Sequence, residues 1–238
     1  FLPLLGSNRK AVSIAAIFDN GHGMNYEEFI SRWLVVGTES KYDRNEAAEE
    51  DRNGLPIRTK QGQKGIGRLS SASLGPLLLL ISKRKGYDFV AALLDWRLFE
   101  NPYLLLSDIE IPVTTFQKRN ELEGLLPDLF DRLTDNIWGN NNNPERSARL
   151  EQAWATFDAF VQERDQTNLK PSEQITNTIV STTFRLEHLA PWEVWSDESG
   201  KTGTALLVSD IHYDLRAQLP SVEPDGGVQN IRDTFFAT

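Results

Sequence analysis

Two glycine clusters, in a fixed order along the chain, constrain this sequence more than any other feature. The first, Asp19-Asn20-Gly21-His22-Gly23-Met24, follows directly on a short apolar, β-branched run at residues 11–18 (AVSIAAIF). That run has the length and the bounds of a buried strand. The second, Gly62-Gln63-Lys64-Gly65-Ile66-Gly67-Arg68, leads into small residues that end at Gly75-Pro76, the pattern of a closely packed helix with a glycine stop. Taken alone, Asp-Asn-Gly after a strand is turn chemistry. Glycines before a helix form a phosphate cradle, because free backbone N–H groups and the positive end of the helix dipole both favour an anion. Between the two clusters lies a polar stretch at 37–64 carrying Gly54-Leu55-Pro56, a loop of the length used for active-site lids.

The rest of the pattern supplies a sheet and its helices. Residues 25–36 read as a helix, capped by Asn25, with Glu27 and Glu28 in the first turn and Phe29, Trp33 and Val36 at helical spacing. Leu77–Ser82 and Tyr87–Asp95 read as two strands of a hairpin closed by Lys83-Arg84-Lys85-Gly86. Residues 103–114 read as a further strand. Between 117 and 168, Leu122, Leu125, Leu126, Leu129, Phe130 and Leu133, then Leu150, Trp154, Phe157 and Val161, fall at the three-and-four spacing of two amphipathic helices. Gly139 to Pro144 is a polar linker between them and reads as mobile. Residues 178–187 and 203–211 return to strand character. This order predicts an α/β sandwich on a mixed, mainly antiparallel sheet rather than a doubly wound parallel one.

Composition narrows the function classes. The 238 residues include no cysteine, which excludes disulfides, thiolate metal sites and a cysteine nucleophile, and is compatible with a reducing cytosol. The formal charge of −9 argues against a broad duplex-DNA-binding face on this chain, so any nucleic acid would be met through other domains. The apolar run Leu77 to Ile81 is far too short to span a bilayer, and no other run approaches that length. The chain opens at Phe1 in apolar sequence without a signal-peptide layout and reads as a piece of a longer protein.

The joint pattern resembles the GHKL family, the ATP-binding fold shared by gyrase B, HSP90, MutL and sensor histidine kinases. It is carried by Asp19-x-Gly21-x-Gly23-Met24, Trp33-Leu34-x-x-Gly37-Thr38-x-Ser40-Lys41, Gly62-x-Lys64-Gly65-Ile66-Gly67-Arg68 and the late Gly203-Thr204. Its flavour is HSP90-like. The likeness covers roughly residues 11–95 and 203–210. It implies a Bergerat-type two-layer α/β sandwich. The implied division is an ATP-binding domain at 1–116 with a lid at 37–68, a helical insert at 117–170, final strands of the domain at 171–212, and a linker at 213–238 toward a following domain. It also implies ATP and Mg2+ as cofactors, a homodimer or partner protein reached through adjoining domains, and a cytoplasmic protein without a membrane segment.

The resemblance assigns roles residue by residue. Asp19 would accept a hydrogen bond from the adenine amino group, a task that suits an acceptor-only carboxylate. Gly21 and Gly23 would let the backbone pass close to the purine, and Met24 would lie against the base. Thr204 would back the aspartate. Gly62, Lys64, Gly65, Ile66, Gly67 and Arg68 would end the lid and meet the phosphates, with Lys41 nearby. His22 reads as loop filler, and His188 and His212 lack metal-ligand spacing. Asp95-Trp96, Trp192 and Trp195 read as core or rim residues. The family also carries a glutamate and an asparagine on a helix before the first strand, one for the attacking water and one for magnesium. Residues 1–10 hold no Glu, and Asn8 is not placed to serve. Asn45-Glu46 lies on the wrong side of the adenine motif. The implied catalytic and metal residues are therefore expected upstream of Phe1, with none in this chain. Two functions follow from this: a switch-like ATPase module with slow hydrolysis, or a nucleotide-sensing scaffold without catalysis.

Overall fold

A computed structural model describes residues 14–34, 71–164 and 169–212 of the chain. Among these residues five strands form one sheet: β1 (Ile14–Phe18), β2 (Leu77–Lys83), β3 (Phe89–Asp95), β4 (Val113–Phe116) and β5 (Gly203–Ser209). Their order is β1-β5-β2-β3-β4, and every neighbouring pair is antiparallel. The last strand in sequence thus inserts between the first and second. β2 and β3 read as near-continuous apolar runs because both of their faces are covered. β2 and β3 are buried at every position.

One sheet face carries Leu77, Leu79, Ile81, Phe89, Ala91, Leu93, Ala205 and Leu207. Helices α2 (Leu122–Trp138), α3 (Pro144–Arg164) and α4 (Pro171–Ser181) lie over it. α2 presents Leu122, Leu126, Leu129, Leu133 and Ile137, one stripe at helical spacing, and α3 adds Leu150 and Trp154. The other face carries Leu80, Val90 and Ala92, packed against Met24, Phe29, Trp33 and Leu34. Those residues belong to α1 (Tyr26–Glu28), its flanks and the π-helical turn Phe29–Trp33 that continues it. The predicted cap is present as a full capping box. Asn25 Oδ1 accepts from the Glu28 N–H at 2.8 Å and Glu28 Oε2 accepts from the Asn25 N–H at 3.2 Å.

Three local expectations are corrected. The strand predicted at 103–114 begins only at Val113. Asn101 Oδ1 takes the Tyr103 N–H at 3.0 Å, and a 3-10 turn at Leu106–Asp108 buries the Asp108 carboxylate. Arg149 of α3 grips that carboxylate in a bidentate pair at 2.9 and 2.7 Å. These ties turn the chain away from the sheet. The segment 178–187, expected as a strand, is instead the end of helix α4 followed by irregular chain. Pro171 starts that helix, Ile175 and Ile179 share its buried side, and Thr176, Thr178 and Ser181 return their hydroxyls to carbonyls four residues back. Packing of an i, i+4 isoleucine pair outweighs the β-branched composition. The polar linker at 139–144 is a closed turn, in which Ser147 Oγ accepts the Asn140 N–H at 2.9 Å and donates to the Asn140 carbonyl at 2.7 Å.

Candidate nucleotide site

The register of the sheet builds the site. Ser82 pairs with Thr204 on one side and with Val90 on the other. Past the end of β1 the Asp19 N–H donates to the Thr204 carbonyl at 2.9 Å, extending the β1–β5 ladder by one residue. Asp19, Thr204, Ser82 and Val90 therefore form one row across four strands. Side chains alternate between faces, so this row belongs to the face opposite α2–α4.

The Asp19 carboxylate is positioned by backbone donors. Its Oδ1 accepts the Gly21 N–H at 2.8 Å, an Asx turn, and the Thr204 N–H at 3.1 Å. Both bonds use the same oxygen, and among the described residues Oδ2 takes none. The carboxylate is exposed, so a held acceptor faces the open side of the sheet.

Two glycines make the loop possible. Gly23 has φ of +67°, and a Cβ there would fall 1.9 Å from the Lys83 carbonyl oxygen. Gly203, at the first position of β5, has φ of +153°, and a Cβ would meet the Asp19 carbonyl at 2.1 Å. Only glycine lets the Asp19–Met24 loop cross both strands at this distance. Thr202 Oγ1 donates to the Gly21 carbonyl at 2.7 Å, and Trp192 Nε1 donates to the Asp19 carbonyl at 3.3 Å. Met24 donates its N–H to Ser82 Oγ at 2.8 Å, which sets its side chain beside Phe29, Leu80 and Val90. An ion pair of Arg84 with Glu28 at 2.6 Å ties α1 to the β2–β3 hairpin.

Behind the site stands Arg119, fully buried. Its Nη1 donates to the Leu189 carbonyl at 2.9 Å and to the Trp192 carbonyl, and its guanidinium lies over the Trp195 ring. Desolvation pushes its pKa down to about 10, which leaves it charged at neutral pH. The cation thus holds the 189–195 segment, and Trp192 carries that hold to Asp19. Trp192 also stacks on Phe18 with ring centroids 6.5 Å apart.

The structure brings Asp19, Gly21, Gly23, Met24 and Thr204 together from 19–24 and 203–204. Lys41, Gly62, Lys64, Gly65, Ile66, Gly67 and Arg68 lie outside the described residues, as does Asn45-Glu46. His22 is exposed, and its Nδ1 hydrogen-bonds the adjacent Gly23 carbonyl. Ser82, Thr202 and Trp192 join the site without having been singled out for it. Ser82 had a visible signal, a hydroxyl closing an otherwise apolar strand, LLLLIS. Trp192 had none beyond being aromatic.

Among the described residues no three His, Cys, Asp or Glu side chains converge on a metal position, and no helix is long and apolar enough to cross a membrane. A cavity of about 630 Å3 opens elsewhere, among α2, α3 and α4, and another of about 440 Å3 lies beside Trp96, Asp210 and His212. No curated protein matches the chain. A family model described as histidine kinase-, DNA gyrase B-, and HSP90-like ATPase matches residues 5–120, which contain the Asp19–Met24 loop, the Gly62–Arg68 cluster and strands β1 to β4. With the antiparallel sheet and its covering helices, that match supports a GHKL-type ATP-binding module over residues 5–120 of the chain.

Proposed function

We propose that this chain is the nucleotide-binding part of a conformational switch. The carrying observation is Asp19, whose carboxylate is fixed through Oδ1 by two backbone donors while, among the described residues, Oδ2 takes no hydrogen bond. An acceptor held this way suits the amino group of adenine, with Met24 supplying a polarizable surface for the ring. Lys41, Gly62, Lys64, Gly65, Ile66, Gly67 and Arg68 would receive the phosphates, and Mg2+ would arrive with them. In this reading residues 37–68 are the lid. Residues 1–116 and 171–212 form the binding unit, 117–170 a helical insert and 213–238 a linker. Lid closure over ATP drives a conformational change or dimerisation, with slow hydrolysis in a cytoplasmic protein. The HSP90-like flavour rests on the wording of the Asp19–Met24 and Gly37–Lys41 motifs.

The switch is tested by sedimentation velocity and limited proteolysis with a non-hydrolysable ATP analogue and Mg2+. The expected result is protection of 37–68 together with a more compact or dimeric particle. Binding of the analogue with neither change would leave a passive nucleotide site and overturn the switch.

A further inference from the structure

We propose that Ser82 sets the nucleobase preference of this site by fixing which way Thr204 points its hydroxyl proton. The inference rests on the adenine-binding reading above and deepens it. Ser82 is completely buried on β2, on the same face as Leu78 and Leu80. Its Oγ accepts the Met24 N–H at 2.8 Å. A backbone N–H cannot reverse its role, so Ser82 must use its own proton elsewhere. Two oxygens are in reach: Thr204 Oγ1 at 3.2 Å and the Gly203 carbonyl at 3.4 Å. Both contacts are long for a hydroxyl donor, and the threonine is the nearer acceptor. Ser82 therefore donates to Thr204 Oγ1, and the Thr204 proton turns away from Ser82 toward the open side of the sheet.

The row then presents two opposite groups. Asp19 Oδ2 can only accept, and Thr204 donates. Adenine carries an amino donor at N6 and an acceptor at N1. Guanine carries an acceptor at O6 and a donor at N1. Adenine meets the pair with matched partners, directly or through one water, whereas guanine meets acceptor with acceptor and donor with donor. A threonine free to rotate would serve either base, since hydroxyls turn to suit their partner. The Met24–Ser82–Thr204 relay removes that freedom. Ser82 is thus a positioning residue that acts through Thr204 without touching the ligand.

The test is calorimetric titration of the full chain with Mg-ATP and Mg-GTP. Wild type binds ATP the more tightly. Ser82→Ala narrows the ATP-to-GTP affinity ratio roughly five- to tenfold, the worth of one oriented hydrogen bond, and Ser82→Thr restores it. A serine that only supports the strand would weaken both nucleotides together and leave the ratio alone, which would overturn the proposal. Thr204→Val narrows the ratio by itself, and adding Ser82→Ala to it narrows the ratio no further. Further narrowing in the double variant would overturn the relay. Should Ser82→Ala fail to fold, an unchanged ratio in Thr204→Val is sufficient to overturn it. If wild type binds neither nucleotide, the adenine reading falls and this proposal with it. If it binds ATP and the ratio ignores Ser82, this proposal falls alone.

Discussion

The two faces of the sheet are built by different chemistry from the same five strands. The face under α2, α3 and α4 is a dense apolar layer, in which leucines of alternate strand positions meet leucine, tryptophan and isoleucine stripes. The opposite face is sparse. It has a small cluster around Phe29, Leu80 and Val90, and at the β1–β5 end it gives way to Asp19, Thr204 and Ser82, bound to each other and to the loop. One face buries area, which is where most of the stability comes from. The other holds oriented hydrogen-bonding groups at the open side, which stabilise little and, in the proposed reading, serve recognition. A period of two along each strand is what allows one sheet to do both.

Breaking the apolar face has the largest effect. Leu129 is fully buried where α2 meets the sheet, so Leu129→Ala costs about 3 kcal/mol in chemical denaturation. The folded fraction keeps its ATP affinity, because Leu129 packs on the sheet face opposite Asp19 and Thr204. A loss of affinity in the folded fraction would show that the faces are not separable. Gly23→Ala inverts the pattern. Its φ of +67° and the Lys83 carbonyl 1.9 Å from an added Cβ force the loop to move. The stability cost is about 2 kcal/mol, and ATP affinity falls at least about tenfold, measured by calorimetry on the folded variant.

Asp108 sharpens the comparison through pH. The hydrogen bond from Arg149 holds its carboxyl below the usual carboxylate range, against the opposing effect of burial. A depressed folded-state pKa gives stability that is complete above the unfolded value and is lost as pH falls through the folded one. Asp108→Asn therefore costs about 1 kcal/mol at neutral pH. The difference from wild type shrinks below about pH 4, as read from melting temperature against pH. Trp192→Phe has a comparably small effect. It keeps an aromatic ring beside Phe18 but removes the donor to the Asp19 carbonyl and part of a buried indole, so it costs about 1 kcal/mol of stability.

Much of the apolar face was legible in the sequence. The strands at 77–83 and 89–95 and the stripe Leu122, Leu126, Leu129, Leu133 are set by spacing alone, because burial requires an uninterrupted apolar side. Helix α4 was not legible, since Thr, Ile and Val favour strands intrinsically and only contact with the core selects the Ile175/Ile179 helical face. The late start of β4 was hidden as well, because it depends on Arg149 reaching Asp108 from 41 residues away. On the site face, the motif residues 19–24 and 203–204 were found because glycine and aspartate carry local turn signals. Ser82, Thr202 and Trp192 were missed because their part depends on strand register and long-range contacts, which a local pattern does not encode.

The most direct test of the account is the affinity of wild type and Asp19→Asn for Mg-ATP, measured side by side by calorimetry on the full chain. Asparagine is the same size and its amide oxygen can still take the Gly21 and Thr204 N–H groups, so the loop keeps its shape while Oδ2 becomes a donor. The account predicts clear binding by wild type and an affinity lowered roughly tenfold to a hundredfold in Asp19→Asn. Equal affinity in the two proteins would contradict it.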